Sequence, residues 1–298
     1  MRTRALLGLL LLAAASCSGG GGSSGAAPGE ALDTSFGAPA HVRVSGYAGE
    51  LMEPFLSRDG QTLFFNNRND PPDATDLHVA TRVDDLTFSY LHPLAGASSA
   101  RLDAVASADA SGRLYFVSLR SYDTTLVSVF AGDLSAGDVT NVTAVAGISR
   151  LTPGSVNFDA EVAADGQTLY YVDGRFTGGP VPDAADILVA AKTGAAAFAP
   201  LPDAGDLMRE VNTADLEYAP ALTADELEIF FTRLSRAPGA APQLYHATRA
   251  ARGQPFGAPR RIAAASGFVE GATVTPDGRA LYYHALEAGR FVLLRIAR

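Results

Sequence analysis

The sequence predicts an all-β fold, a five-bladed β-propeller closed by an N-terminal strand, on three observations. The 298 residues include 30 Gly, 17 Pro and 15 Phe, a composition typical of short strands joined by tight turns. A segment with an acidic residue, alternating apolar residues, a turn and paired aromatic residues occurs five times. Its turn residues are 52, 54, 60 and 52 positions apart, and a period near 50 is typical of propeller blades. These turn residues are Gly60, Gly112, Gly166, Glu226 and Gly278.

Each repeat is predicted to form four antiparallel strands. Asp59-Gly60 and Asp277-Gly278 each lie between alternating apolar stretches. Asp-Gly favours a tight hairpin turn because both residues tolerate a positive φ, so the first two strands flank this turn. A third strand follows, as in residues 76–82, and then an outer strand, as in residues 88–94. Four strands per repeat are typical of a propeller blade.

The last repeat ends at Arg298 after only three strands. Residues 35–47 are similar in sequence to the outer strand of the fourth repeat, residues 255–268. We therefore expect the N-terminal strand to complete the fifth blade, which leaves no sheet edge unpaired. Residues 35–298 form the predicted propeller domain.

The repeats resemble a known family. Residues 54–65 follow the pattern P-x-x-S-x-D-G-x-x-L-x-F, and residues 76–82 follow D-L-x-x-A-x-R. Together they resemble the WD40-like PD40 repeat of TolB-type propellers, and the resemblance extends over essentially the whole chain from residue 35. It implies a fold rather than one function, because this repeat serves many roles.

The first 17 residues have the features of a secretory leader: a basic start, an apolar run of about 11 residues and small residues before Cys17. The apolar run is shorter than the roughly 20 residues that cross a bilayer. Residues 14–17 resemble the lipobox of bacterial lipoproteins, which implies cleavage before Cys17 and acylation of its thiol. The alternative is an ordinary secretory leader with a chance cysteine.

Residues 18–34 are predicted to be a flexible Gly/Ser-rich tether. Ser18 after the cysteine implies, by the same resemblance, the outer membrane, on its periplasmic or surface face. We therefore expect a monomeric protein of the bacterial cell envelope that contacts the membrane only through its lipid anchor.

Charge and cysteine content exclude several classes of partner. Loss of the leader with Arg2 and Arg4 takes the formal net charge from −9 to −11, which is unfavourable for binding nucleic acid. The single cysteine excludes internal disulfides and a cysteine zinc site. The five histidines are scattered without metal-ligand spacing, so we predict neither a metal site nor a cofactor.

Every repeat has an acidic residue near the start of its first strand and an arginine after its second strand. The acids are Glu53, Asp103, Asp159, Glu217 and Glu270, and the arginines are Arg68, Arg120, Arg175, Arg233 and Arg290. Both sets are expected at one face of the ring, around the central channel. In one interpretation each acid pairs with an arginine and orders its blade. In the other, a subset binds a ligand at the channel mouth.

The sequence favours a binding or scaffolding module whose partner is an unidentified envelope protein or glycan. The alternative function is glycoside hydrolysis, because five-bladed glycosidases place carboxylates from different blades around a central pocket. Two observations count against an enzyme: the acids occupy matching positions in the repeats, and the chain has no tryptophan to stack on a sugar. Three carboxylates without basic partners would favour a functional site, whereas complete pairing with arginine would favour a structural role.

Overall fold

The computed structural model describes residues 30–69, 71–135, 137–179 and 181–298. Cys17, the leader and the tether as far as residue 29 lie outside the described residues. Strands β1 (Leu32–Asp33) and β2 (Ala40–Ser45) precede the repeats. The described helices are a 3₁₀ turn (Pro72–Ala74), α1 (Tyr122–Thr125) and α2 (Ala204–Leu207). None of them has the length and hydropathy needed to cross a membrane.

The repeats form four-stranded antiparallel sheets, as the sequence predicts. Blade 1 contains β3 (Met52–Leu56), β4 (Thr62–Asn66), β5 (Leu77–Arg82) and β6 (Thr87–Pro93). Blade 2 contains β7 (Asp103–Ala108), β8 (Arg113–Ser118), β9 (Val129–Ser135) and β10 (Asp138–Ala144). Blade 3 contains β11 (Ser155–Val162), β12 (Thr168–Arg175), β13 (Ala184–Gly194) and β14 (Ala197–Pro200). Blade 4 contains β15 (Leu216–Leu222), β16 (Glu228–Leu234), β17 (Gln243–Thr248) and β18 (Arg260–Ile262). Blade 5 contains β19 (Val269–Val274), β20 (Ala280–Glu287) and β21 (Arg290–Ala297).

The N-terminal strand β2 completes blade 5, as predicted. Its first half pairs antiparallel with β21, with Ala40 opposite Arg295. Its second half pairs in parallel with β6 of blade 1, with Val44 opposite Phe88. One strand therefore joins the first and last blades into an eight-stranded sheet.

The propeller begins earlier than the sequence indicates. Strand β1 pairs in parallel with β18 at the outer edge of blade 4, with Asp33 opposite Ile262. The Glu30 carboxylate accepts hydrogen bonds from Tyr245 and Arg261. Residues 30–34, which were assigned to the tether, therefore include a strand that belongs to the domain.

The paired aromatic residues of the second strands form the centre of the apolar core. In blade 1, for example, Phe64 and Phe65 are fully buried. Core clusters extend across blade boundaries, since Tyr115 of blade 2 packs in one cluster with Tyr171 of blade 3. Burial of aromatic rings of this size stabilises the contacts between neighbouring blades.

Every innermost strand contains a β-bulge at the same place. The register against the second strand shifts by one residue in each blade. The bulged residue has a positive φ of 46° to 61°, a backbone conformation that non-glycine residues seldom adopt. The bulged residues are Glu53, Val105, Asp159, Ala219 and Gly271.

Candidate functional site

The five bulges surround a small cavity in the central channel. Its volume is about 30 Å³, and its lining includes the side chains of Glu53 and Asp159. Small residues, among them Pro54 and Pro220, form much of the remaining wall. A cavity of this size holds one or two water molecules. The channel therefore narrows to a small acidic pocket at the level of the bulges.

The bulges show which acids are equivalent. Each bulged residue lies seven positions before the turn residue of its blade, and Glu53 and Asp159 are themselves bulged residues. Glu270 lies one position before its bulge, whereas Asp103 and Glu217 lie two positions before theirs. The expectation that all five acids occupy equivalent positions is therefore wrong, because the bulge adds a residue that strand alternation does not reveal.

Asp103 and Glu217 pair with the predicted arginines. Arg120 Nη2 lies 2.9 Å from Asp103 Oδ1, and Arg233 Nε lies 2.6 Å from Glu217 Oε1. Both carboxylates are fully buried. Each also accepts a hydrogen bond from a backbone N–H, that of Ser99 for Asp103 and that of Thr213 for Glu217. These two acids order the loops of blades 2 and 4, as the structural interpretation predicts.

The other three arginines do not pair with the channel acids, so the predicted ring of acid–arginine pairs does not form. Arg68 forms a salt bridge with Glu50, at 3.1 Å, rather than with Glu53. Arg290 donates to the backbone oxygen of Ala48. Among the described residues, Arg175 has no ion pair.

Glu53, Asp159 and Glu270 converge in the channel, and no arginine within the described ranges pairs with any of them. Their exposed fractions are 8%, 3% and 3%. They come from blades 1, 3 and 5, so the closed ring brings together residues that are far apart in sequence. Burying three carboxyl groups without a cation costs folding free energy. Such an arrangement favours a functional site over a structural role.

Tyr218 and His284 complete this cluster, and sequence reasoning missed both roles. The Tyr218 hydroxyl donates to Glu270 Oε1 at 2.5 Å, and His284 Nε2 lies 3.1 Å from Glu270 Oε2. The backbone N–H of Glu53 donates to His284 Nδ1 at 3.2 Å. Because Nδ1 accepts this bond, the proton of the neutral imidazole is on Nε2, which donates to Glu270. Glu270 thus accepts one hydrogen bond on each carboxylate oxygen.

Neither role had a signal in the sequence. Counting outward from the Asp277-Gly278 turn places Gly271 opposite His284, and it is the bulge that brings Glu270 into this pairing. Tyr218 reaches Glu270 from the neighbouring blade, a contact that the sequence pattern does not reveal.

Asp159 has a different environment. Its Oδ2 accepts the backbone N–H of the bulged residue Ala219 at 3.0 Å. Its Oδ1 is buried and has no hydrogen-bond partner. An unsatisfied buried oxygen of this kind costs about 1–3 kcal/mol, so the site retains an unused acceptor beside the cavity.

Burial keeps the cluster partly protonated at neutral pH. Burial raises the pKa of Glu53 and of Glu270 to about 8 and that of Asp159 to about 7. Burial also raises the pKa of the Tyr218 hydroxyl well above its usual value and lowers that of His284, so both are neutral donors. Asp159 has the lowest pKa of the three carboxyl groups and ionises first. Glu270 accepts hydrogen bonds from Tyr218 and His284, which stabilise its carboxylate once it has lost its proton.

The donor set does not fit a metal ion in this arrangement. The ligand atoms of Glu53, Glu270 and His284 lie within 4.8 Å of one another, close enough for one ion. However, a metal-bound Nε2 requires a lone pair, and the bond from Glu53 N–H places the proton there. The arrangement supports proton sharing between the carboxyl groups instead.

The raised pKa values predict that stability falls as the pH rises. In the unfolded chain these carboxyl groups ionise near their model values of 3.8 and 4.5, whereas in the folded protein they hold protons until about pH 7 to 8. Between those limits the unfolded state releases protons that the folded state retains, so ionisation favours unfolding. One such group accounts for about 4 kcal/mol over three pH units, so we expect the free energy of unfolding in urea to fall by at least about 4 kcal/mol from pH 5 to pH 8. A constant or rising value over this range would contradict the prediction.

No protein-family model matches the chain, and no curated protein matches it. Solved structures do match. The catalytic domain of a family 62 α-L-arabinofuranosidase from Coprinopsis cinerea is 11% identical, with a TM-score of 0.57 over 90% of this chain and 97% of that one. An endo-arabinase from Bacteroides thetaiotaomicron is 14% identical, with a TM-score of 0.55 over 87% and 96% of the two chains. TolB from Acinetobacter baumannii is 12% identical, with a TM-score of 0.47 over 84% and 55%. At these identities, the two likenesses above a TM-score of 0.5 show that the chain shares the fold of these β-propellers.

Proposed function

We propose that the channel site hydrolyses glycosidic bonds and that Glu53, Asp159 and Glu270 are its acidic residues. The observation that carries the proposal is the convergence of these three carboxyl groups from three blades. Glu53 and Asp159 line the cavity, and a carboxyl oxygen of Glu270 lies within 4.8 Å of one of Glu53. Among the described residues, none of the three has an arginine partner. Glycoside hydrolysis needs a carboxylic acid that protonates the leaving oxygen and a carboxylate that acts as base or nucleophile. With pKa values of about 7 to 8, the cluster supplies both forms near neutral pH.

The contacts assign different roles to the three acids. Glu270 is the carboxylate of the active form, since it accepts hydrogen bonds from Tyr218 and His284 that stabilise its ionised state above its pKa of about 8. Glu53 is the acid, because it lacks such donors and its pKa is raised by burial and by the neighbouring carboxyl groups. Carboxyl oxygens of Glu53 and Glu270 lie within 4.8 Å of each other. Retaining glycosidases have carboxyl groups about 5 Å apart, so we expect retention of anomeric configuration.

The size of the cavity limits how a substrate binds. About 30 Å³ admits water but not a sugar ring. A glycan would therefore lie across the channel mouth and present its glycosidic oxygen to Glu53. The unpartnered Oδ1 of Asp159 is then available to accept a substrate hydroxyl.

The test is a panel of oligosaccharides that starts with those containing arabinose, because two of the structures that share this fold are named as an endo-arabinase and an α-L-arabinofuranosidase. We expect release of reducing sugar near neutral pH, with NMR showing a retained anomeric configuration in the first product. Glu210→Gln is the matched control for substitutions of the channel acids, because Glu210 is exposed and, among the described residues, forms an ion pair with Arg209 alone. No release by the wild-type protein over the whole panel would overturn the proposal.

The second candidate is a binding module for an envelope glycan or protein, favoured by the small size of the cavity. In this case the channel face holds a partner without cleaving it. Calorimetry would support this function if intact oligosaccharide binds, if Asp159→Asn weakens the binding, and if no sugar is released. Cleavage of the bound oligosaccharide would show that binding is not the sole function of the site.

We also propose that the protein is an envelope lipoprotein anchored through Cys17. The support is the leader sequence and the lipobox resemblance. We expect the wild-type protein in the membrane fraction and Cys17→Ala in the soluble fraction of the envelope, because the acyl chains supply the membrane affinity. Recovery of both forms in the soluble fraction would contradict anchoring through Cys17.

A further inference from the structure

A second cluster of titratable groups lies at the outer edge of blade 4, far from the channel acids in the strand order. His246 on β17 has a carboxylate oxygen at each ring nitrogen. Nδ1 lies 2.7 Å from Asp33 Oδ2, and Nε2 lies 2.7 Å from Glu228 Oε2. A neutral imidazole has only one N–H, so it can donate to only one of these carboxylates. Both contacts are satisfied only by the protonated ring.

The surroundings of His246 keep both carboxylates charged. Although burial raises the pKa of Asp33, hydrogen bonds from Ser35 and His246 lower it below its usual value overall. Arg298 Nη2 lies 2.8 Å from Glu228 Oε2, so this carboxylate has a cationic partner. Another charged residue, Arg260, lies opposite His246 in the pairing of strands β17 and β18. The ring itself is stacked on Phe230, with centroids 4.6 Å apart.

Asp33 belongs to the segment that joins the propeller to the residues preceding it in the chain. That segment is also attached to blade 4 through the two-residue strand β1 and its backbone hydrogen bonds, through a bond from Arg260 to the backbone oxygen of Leu32 and through the contacts of Glu30 with Tyr245 and Arg261. Among these contacts, the one with His246 is the one whose strength depends on protonation of an imidazole, and a charged hydrogen bond is stronger than a neutral one.

We propose that His246 is a protonation-dependent latch that holds residues 30–33 against blade 4. When the imidazole is protonated, it bridges Asp33 and Glu228 and the segment is docked. When it loses its proton, a nitrogen lone pair faces a carboxylate oxygen at 2.7 Å and the contact becomes repulsive. The segment then detaches more readily, so the attachment of residues 30–33 to blade 4 becomes weaker as the pH rises.

The test uses the full chain with Cys17→Ala and Ala31→Cys, which places one spin label on the exposed residue 31. We expect the ratio of mobile to immobile label to rise about tenfold between about pH 5 and pH 9, the effect of one charged hydrogen bond. In His246→Gln the label should be mobile throughout. His41→Gln is the matched control, since His41 contacts Glu287 at an exposed site, and it should behave as the wild type.

A second variant keeps the test valid if His246→Gln does not fold, because His246 packs on Phe230. Asp33→Asn changes only the docked segment and should remove most of the pH dependence. Label mobility that is independent of pH in the wild type, or unchanged pH dependence in Asp33→Asn, would overturn the latch. None of these measurements depends on glycan hydrolysis.

Discussion

Replacement of Glu270 by Gln is expected to lower kcat/KM for glycan hydrolysis by about 10³-fold or more. A neutral amide cannot act as the base or nucleophile. It can still be accommodated, because its oxygen can accept from His284 and its NH2 can donate to the Tyr218 hydroxyl. The measurement is the rate of sugar release together with the free energy of unfolding in urea. The variant should remain folded, because removing a buried negative charge does not destabilise the protein at pH 8.

Glu53→Gln provides an internal comparison. As the proposed acid, Glu53 is needed to protonate a poor leaving group but not an aryl leaving group of low pKa. We therefore expect Glu53→Gln to retain much of its kcat/KM on an activated aryl glycoside, because this constant reports the first step, while its kcat falls because the water step still needs a base. Glu270→Gln should lose kcat/KM on both substrates. Equal losses in the two variants on both substrates would contradict the assigned roles.

Replacement of Glu217 by Gln is expected to destabilise the protein by about 3 kcal/mol. Glu217 is fully buried and accepts hydrogen bonds from Arg233 and from both the backbone and the hydroxyl of Thr213. Gln leaves the guanidinium of Arg233 without its counter-charge between Phe231 and Tyr245. Urea denaturation measures the effect.

A double variant separates charge from packing. Combining Glu217→Gln with Arg233→Met removes the unpaired cation, so part of the lost stability should return. The effect of Arg233→Met is measured in the wild type and in Glu217→Gln. If it lowers the free energy of unfolding equally in both, the two residues do not act as a pair.

The sequence predicted the fold because its main determinants are local. Asp-Gly turns, alternation and the period near 50 residues define the hairpins, and the similarity of residues 35–47 to residues 255–268 predicted the closing strand. The boundary at residue 30 was missed because the two-residue strand β1 shows no periodicity. Its position depends on contacts with Tyr245, Arg261 and His246, which are more than 200 positions away in the chain.

The acids of the site were found from the sequence, but their division into two groups was not. Counting back from the turn residue gives seven positions for Glu53 and Asp159, eight for Glu270 and nine for Asp103 and Glu217. The two acids at seven positions line the cavity and the acid at eight positions lies beside them, all three without an arginine partner among the described residues, whereas the two acids at nine positions pair with arginine. Aligning the repeats on their acidic residues concealed this difference, since the bulge is visible only in the strand register.

The most direct test of this division is the free energy of unfolding of Glu270→Gln and Glu217→Gln, each compared with the wild type at pH 8. The two substitutions are chemically identical and both sites are buried. We predict opposite signs: Glu270→Gln gains about 1–2 kcal/mol because it removes an uncompensated carboxyl group, whereas Glu217→Gln loses about 3 kcal/mol. A loss of similar size in both variants would show that Glu270 is a structural partner like Glu217 and would contradict the channel site.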